Sequence, residues 1–276
     1  MASTANPAEH WSGVADAWDS NTDYVDSHSL ASTEALVRAV DLRPGDRMLE
    51  LAAGPGSLGG RWSRLVGPTG RVVLSDIAPG MVEVARRRNE GFGNVEIAVL
   101  DASAIDQTDA SFDVVVCRMG LMFTPEPAVA FGEIRRVLAG EGRFGALTWA
   151  GIEHNPWMTC VGMAAMMNGL VAGGPPVGPG GIFSLGDPAQ LVSLATDAAF
   201  VDVIVEEIPT TFHADNIDTH VERVSSLAGP LAAAFAAATS EQLTAVRHTA
   251  AQLAADHISD QGVTLPGRTI LVAGRV

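Results

Sequence analysis

Residues Met48 to Gly60 read MLELAAGPGSLGG, and Gly54, Gly56 and Gly59 fit G-x-G-x-x-G directly after an apolar run. Glycine lets the backbone turn tightly and approach a ligand closely. Alone, the pattern suits a dinucleotide, S-adenosylmethionine (SAM), or nothing more than a strand-to-helix turn. Three acids narrow the chemistry. Glu50 stands at the end of the first apolar run, and Asp76 lies 20 residues after Gly56, the reach at which an acid accepts hydrogen bonds from both hydroxyls of a ribose. Asp101, in LDASAI, can accept from an exocyclic adenine amine while the Ala102 amide donates to a ring nitrogen. Each acid taken singly also fits a solvated loop carboxylate or, for Asp101, a plain helix cap. Together, at three successive strand ends, they frame a nucleoside.

The elements that must position these groups are legible as rhythm. Short apolar runs at Arg47–Leu51, Arg71–Ser75, Val95–Leu100, Phe112–Cys117 and Gly142–Trp149 alternate with helical patterns at Ser57–Val66, Pro79–Asn89 and Pro125–Leu138. This alternation predicts an α/β, doubly wound parallel sheet, on which ligands bind beyond the carboxyl ends of the strands. Pro188–Ala198 reads as a further helix, Val201–Ile208 as a sixth strand and GRTILVAGRV at the end as a seventh. Between them Asn216–His257 is alanine-rich and reads as two or three helices, interrupted at Gly229-Pro230. The expected organisation is an N-terminal helical lid (1–45), a Rossmann-like core (46–150), an apolar cap segment (151–186), and the remainder of the core (187–276) with a helical cap insertion over 209–262.

Composition excludes several classes. All 17 basic residues are Arg and none is Lys, which removes Schiff-base catalysis, pyridoxal phosphate anchoring and the P-loop. The Tyr/Lys pair of short-chain dehydrogenases is excluded as well, and Tyr24 is the only tyrosine. A net charge of -15 opposes binding to nucleic acid or anionic membranes. Cys117 and Cys160 form no C-x-x-C and have no His ligands spaced near them, so neither a zinc site nor a disulfide framework is expected. The first 30 residues lack a signal-peptide pattern, and a cytoplasmic location is the expectation.

Asn155 to Gly186 contains no charged residue. Its stretch free of prolines and glycine pairs is shorter than a membrane span requires. It reads either as a buried core helix with a plain loop, or as a mobile cap whose methionines, with Met119, Met122 and Trp157, line an apolar acceptor pocket. The glycine-proline stretch Gly173–Gly181 would be the part that opens.

Over residues 47–149 the sequence resembles the class I SAM-dependent methyltransferases of the UbiE/methyltransferase-11 type. RMLELAAGPGSLGG matches the glycine motif, VVLSDIAPGMVEVARRR the ribose-acid segment, LDASAIDQTDASFDVVVCRMGLMF the adenine and fourth-strand segments, and EIRRVLAGEGRFGALTW the fifth strand. The resemblance implies a seven-stranded Rossmann-like sheet whose last strand is antiparallel, SAM as cofactor, and methyl transfer to an O, C or N atom of a small, largely apolar acceptor. It implies that Asp76 binds the ribose, Ile77 and Met81 flank the adenine, and Asp101 with Ala102 reads its edge. Glu50, Ala52 and Gly54 would lie along the methionine moiety, Gly56 and Cys117 would also contact the cofactor, and Trp18 would sit in a lid near it. Ala52 departs from the glycine of many relatives, and Gly-Glu-Gly at 140–142 from the usual Pro-Gly-Gly.

The fourth strand ends in Cys117-Arg118-Met119-Gly120, without the Asn/Asp-Pro-Pro-aromatic motif of nucleic-acid and glutamine N-methyltransferases and without a metal-binding carboxylate; no metal is expected. His154 is the candidate base, or else a histidine that caps the next helix. Arg118 either clamps an anionic acceptor or the SAM carboxylate, or pairs with one of the 32 acids. A non-methylating, cyclase-like SAM protein and an NAD oxidoreductase stay as alternatives, and a homodimer is left open.

Overall fold

The centre of the sheet is apolar on both faces because both faces are covered, as in parallel sheets generally. The computed structural model describes residues 6–276. Its strands are β1 (Arg47–Leu51), β2 (Arg71–Asp76), β3 (Val95–Val99), β4 (Phe112–Arg118), β5 (Leu138–Trp149), β6 (Val201–Ala214), β7 (Ile258–Ser259) and β8 (Gly262–Arg275). They lie in the order β3-β2-β1-β4-β5-β8-β6, with β7 paired to β8. Strands β1 to β5 are mutually parallel, while β8 runs antiparallel to both β5 and β6. The sheet thus has eight strands where seven are expected, the extra one being the two-residue β7 in a hairpin closed at Gly262, whose φ is +109°.

Alternation along each strand sorts side chains to opposite layers. Leu49, Leu51, Val73 and Val115 face α7 (Pro127–Val137) and α9 (Pro188–Asp197), packing on Phe131, Ile134 and Leu191. Met48, Val72, Leu74 and Val114 face the other way, onto Leu36 and Val40 of α4 (Leu30–Val40) and Trp62 and Val66 of α5 (Gly59–Val66). Short helices α1 (Pro7–Ser12), α2 (Ala15–Ser20) and α3 (Thr22–His28) lead into α4. The first five residues of the expected lid lie outside the described residues.

Three strands, β5, β6 and β8, run well past their apolar runs. β5 starts at Leu138, pairing with Phe112 across an irregularity that absorbs Gly140-Glu141-Gly142, where Glu141 takes φ +65°. β6 does not stop at Ile208 but continues to Ala214, opposite Val263 of β8. Pairing between β5 and β8 ends at Trp149↔Thr269, so residues 209–214 and 263–268 form a two-stranded arm that projects past the carboxyl end of β5. On this arm a separate apolar cluster gathers α8 (Pro156–Met167), α10 (Ile217–Leu227) and α12 (Ser240–Leu253) through Trp157, Val161, Phe183, Phe212, Val221, Val246 and Leu265. α11 (Gly229–Ala237) begins at the Gly229-Pro230 interruption, with proline in its first turn.

Below the opposite, amino end of the sheet, Arg143, just after the irregularity in β5, is buried with Asp46, the residue before β1. Their side chains are 8% and 11% exposed and 2.7 Å apart. Asp46 also accepts from the Arg43 amide, and Arg143 donates to the Asp41 carbonyl. Breaking one side of a buried pair leaves an uncompensated charge. Asp46→Ala is therefore expected to lower the unfolding free energy by about 3 kcal/mol or more, whereas Asp46→Leu with Arg143→Met should recover most of the loss. Urea unfolding followed by circular dichroism checks both.

Candidate functional site

The chain turns sharply at the end of β1, and the three glycines of the loop do different work. Gly54 has φ +56°, and a Cβ built there would meet nothing within 4 Å, so its surroundings are open. Gly56, with φ +70°, and Gly59 are packing glycines, since a Cβ at either would strike Asn89 on α6 (Pro79–Asn89), at 2.9 and 2.1 Å respectively. The Asn89 amide donates to the Gly56 carbonyl and locks loop to helix. Ala52 also takes a left-handed φ of 51°. Its side chain fits because residue 120 is glycine; a Cβ at Gly120 would lie 2.3 Å from that of Ala52.

Asp76, at the end of β2 and 7% exposed, accepts from the Gly54 amide on one oxygen and the Ala78 amide on the other, both at 2.9 Å. Burial raises its pKa, and the Ala78, Gly54 and Ile77 amides oppose the rise. A carboxylate offers about four acceptor positions, so the group braces the glycine loop and still has capacity for a hydroxyl donor. Asp76 is therefore structural as well as a candidate ligand group, which a bare strand-end acid would not be. Asp101 is exposed in a turn, accepting from the Ser103 amide, with Ala102 half-buried beside it. Ile77 is half-buried, whereas Met81 is buried with Ala78 against Trp18.

Glu50 is the most constrained acid in the site. It is 2% exposed, and one of its oxygens accepts from the Trp62 indole at 2.6 Å. Burial pushes its carboxyl up to about 7; the Arg118 charge and the Trp62 hydrogen bond oppose this, and Asp26 and Asp76 add to it. Cys117 beside it is buried, and desolvation pushes its thiol up to about 12, so it packs rather than reacts.

Arg118, at the end of β4, pairs with an acid rather than standing free for an anionic ligand. Its guanidinium donates to Asp26 at 2.9 Å and Ser29 at 3.1 Å on the N-terminal helices, and to Ser57 of the glycine loop at 3.3 Å. Asp26, Ser57 and Trp62 escape sequence reasoning because a lone acid, serine or tryptophan has no pattern; a close partner is the only signal. The lid is held further by Trp18, whose indole donates to the Leu227 carbonyl at 2.9 Å, and by Trp11, set edge-on to Phe123.

The other candidates are dispersed. Met122 is fully buried in the core under α7, which makes it packing rather than pocket wall. Met119 is half-buried with φ +60°. Trp157 is 8% exposed, stacked 3.9 Å from Phe212 in the cap cluster. α8 is largely buried, and the glycine-proline segment folds back on it, Pro175 leaving no room for a Cβ at Gly162. His154 sits in a turn after β5 with its imidazole 3.3 Å from Glu153 and 38% exposed, and no hydrogen bond ties it to the strand ends. No group of three metal-ligating side chains occurs among the described residues. Nor is any helix there long and apolar enough to cross a membrane.

Two concavities open on the surface away from the strand ends. One lies along Ser240–His248 on the face of α12 alone. The other, of about 390 Å³, separates lid from cap between Val14, Ala17, Val221, Glu222, Phe235 and Arg247.

Comparison with known proteins agrees with the strand-end geometry. The methyltransferase domain family matches residues 48–142. The ubiquinone/menaquinone biosynthesis C-methyltransferase UbiE of Teredinibacter turnerae is 40% identical over 105 residues, 37% of this chain and 42% of that protein. The UbiE of Hydrogenovibrio crunogenus is 40% identical over 116 residues, 41% of this chain and 46% of that one. The chain thus spans less than half the length of these curated relatives. Among solved structures, the YcgJ protein of Bacillus subtilis superposes with a TM-score of 0.60 at 19% identity, over 89% of this chain and 97% of its own. The [4+2]-cyclase SpnF does so at 0.55 and 19%, over 96% and 95%; at these identities the likeness concerns the fold alone. Sequence match and strand order converge: over residues 48–142 the chain is similar to the methyltransferase domain family.

Proposed function

We propose that the protein transfers a methyl group from SAM to an O, C or N atom of a small, largely apolar metabolite. The observation that carries this reading is the open space at Gly54 between the Asp76 carboxylate and the buried Glu50 carboxyl. The donor set fits the cofactor. Asp76 has acceptor capacity left for a ribose hydroxyl, Asp101 and Ala102 present an acceptor and an amide at the next strand end, and Ile77 offers half-exposed apolar surface. Glu50, Ala52 and Gly54 would border the methionine portion, next to Cys117 and Met119. Bound SAM supplies an activated methyl on a positively charged sulfur, so the protein's task is alignment and exclusion of water. The Arg118 bridge from lid to glycine loop serves that exclusion, and Trp18 and Met81 close the side beneath α1 and α2. The uncharged α8 segment supports an acceptor with little charge.

Calorimetric titration separates this reading from an oxidoreductase. SAM and S-adenosylhomocysteine are expected to bind and NAD is not; the reverse order would overturn it. Asp76→Asn should weaken SAM binding at least tenfold, corresponding to roughly 1.4 kcal/mol or more. Asparagine is the better test than alanine because Asp76 also holds the Gly54 and Ala78 amides. Unchanged affinity would remove Asp76 from the site.

Glu50 provides a pH signature. A carboxyl raised from 4.5 to about 7 keeps its proton in the folded state through that window. Stability is therefore lost as pH rises from about 4.5 to 7 and levels off above. Glu50→Gln, which keeps an acceptor for Trp62, should gain on the parent protein through that window by up to about 3 kcal/mol in urea unfolding. A cationic ligand beside Glu50 favours the ionised form, so SAM binding near pH 6.5 should release a proton, seen as a buffer-dependent binding enthalpy. Glu50→Gln should abolish that dependence.

A further inference from the structure

The lid is fastened by Asp19 on Arg88 of α6, by Asp26 on Arg118 and by the Trp18 indole on the Leu227 carbonyl. A further fastening hangs on a histidine, the side chain whose charge changes in the neutral range. His28, the last residue of α3, is bound to the β6 arm twice. Thr210 donates its hydroxyl to the His28 carbonyl, and the His213 amide donates to Nε2 of the His28 ring at 3.1 Å. The other ring nitrogen, Nδ1, lies 2.7 Å from the Tyr24 carbonyl one turn back. The Ser27 hydroxyl, 3.2 Å from Nδ1, gives its own proton to that carbonyl. A carbonyl only accepts and an amide N–H only donates, so Nδ1 carries the proton and Nε2 is a bare lone pair. The two contacts together select the neutral ring and one tautomer. The ring also stacks on Phe212 of the arm, with centroids 5.2 Å apart and planes within 4°.

A second proton on this ring would sit on Nε2, turning the acceptor of the His213 amide into a donor that faces a donor. The surroundings do not favour the resulting cation. On the arm stands His213, its ring centred 5.9 Å away and bonded to Thr264 of β8. On α10 stand Arg223, over the Tyr24 ring, and His220, which shares the field of both. On α3 itself the phenol of Tyr24 is 4.2 Å away, ring to ring, and the Asp26 carboxylate is engaged by Arg118. Burial is the main cause that lowers the His28 pKa; the Tyr24 bond opposes it, and the His213 and Arg223 charges add to the lowering. A histidine lowered in this way contributes stability that is complete above about 6.5 and is lost as pH falls below that value.

His28 also stands between two partners of Arg118. Asp26 lies two residues before it and Ser29 directly after it; both accept from the guanidinium, at 2.9 and 3.1 Å, and the same group reaches Ser57 of the glycine loop. Resting on the methyltransferase reading above, we infer that His28 is a positioning residue of the site. Its neutral ring clips the end of α3 to the β6 arm and so holds Asp26 and Ser29 on Arg118 beside the glycine loop; protonation of Nε2 releases the clip and opens the lid. In this assignment His28 touches neither cofactor nor acceptor and acts through Arg118.

The test uses the full chain with S-adenosylhomocysteine as the probe, in the parent protein and two variants. His28→Gln offers the His213 amide a carbonyl oxygen that does not titrate. His28→Phe keeps an aromatic face for Phe212 and offers no acceptor. Hydrogen exchange of residues 22–33, corrected for the intrinsic effect of pH, reads the clip directly; the release rate of S-adenosylhomocysteine, followed by stopped-flow tryptophan fluorescence, reads the site. In the parent both should rise about tenfold between pH 7.5 and 5.5, the worth of one lost hydrogen bond. Neither variant should respond to pH, His28→Gln staying near the slow values of the parent and His28→Phe near the fast ones. Glu50 titrates in all three proteins, so a rise from that source would persist in both variants. Side-chain nitrogen NMR of the parent should show His28 as the Nδ1–H tautomer at pH 7.5. A parent that is flat across the range, a rise that survives in either variant, or an Nε2–H tautomer would overturn the assignment. Failure of S-adenosylhomocysteine to bind would instead strike the methyltransferase reading, while the exchange measurement would still decide the clip.

Discussion

The site is organised around the Arg118 guanidinium. Behind it lies the buried Glu50 carboxyl, before it Asp26 of the lid, and beside it Ser57 of the glycine loop. Without a cation there, only the Trp62 hydrogen bond would oppose burial and the repulsion of Asp26 and Asp76 on Glu50. Arginine suits the position because its planar fork directs several donors at fixed angles, reaching Asp26, Ser29 and Ser57 at once. The same group that moderates the cost of a buried acid therefore also pins the N-terminal helices over the strand ends. Lid position and site electrostatics are one constraint.

Of the seven non-glycine residues with positive φ among the described residues, two fall at this place. Ala52 after β1 and Met119 after β4 both adopt left-handed φ values, 51° and 60°, on neighbouring strands. Such residues persist only where the surroundings over-determine them. Here the surroundings are the two apolar layers below, and the Gly120 position that yields its Cβ space to Ala52. Alanine in place of the more usual glycine is thus a paired arrangement with Gly120, which the sequence alone displays as two unrelated small residues.

What was legible in the sequence follows burial. β1, β2 and β4 are covered on both faces, so their apolar runs stand out and their bounds are nearly right. The arm of β6 and β8 was cut short because its residues are mostly half-exposed or polar; Thr210, Thr211 and His213 are held by the β8 ladder and by α3, not by a core. The strand-end acids could be read because three of them recur at one depth of a repeating βα pattern. Arg118 showed its position but not its partner, since Asp26 is 92 residues away. His154 drew attention by following β5 directly, yet position along the chain says nothing of orientation, and its imidazole faces Glu153. His28 sat unnoticed at the end of a short helix where no spacing rule singles out one residue.

That contrast has a physical origin in how the two halves are built. The cofactor half is made of local βα units, so its chemistry recurs at short, regular separations, and it is this half that the curated relatives match. The cap is assembled from segments far apart in the chain, such as α8 against α12 and Tyr24 against Arg223, and its chemistry exists only after folding. Within the core, buried polar side chains such as Ser75, Asn89, Thr148 and Asn155 all find partners. Of the four unpartnered buried atoms in the described residues, two are guanidinium nitrogens of Arg135 and Arg143 near the amino end of β5, where other nitrogens of Arg143 are bonded. The remaining two face the lid and cap junction. Elsewhere among the described residues buried polarity is met locally in the βα units, as Asn89 meets Ala85, and across long separations where distant segments fold together, as Ser32 meets Thr269.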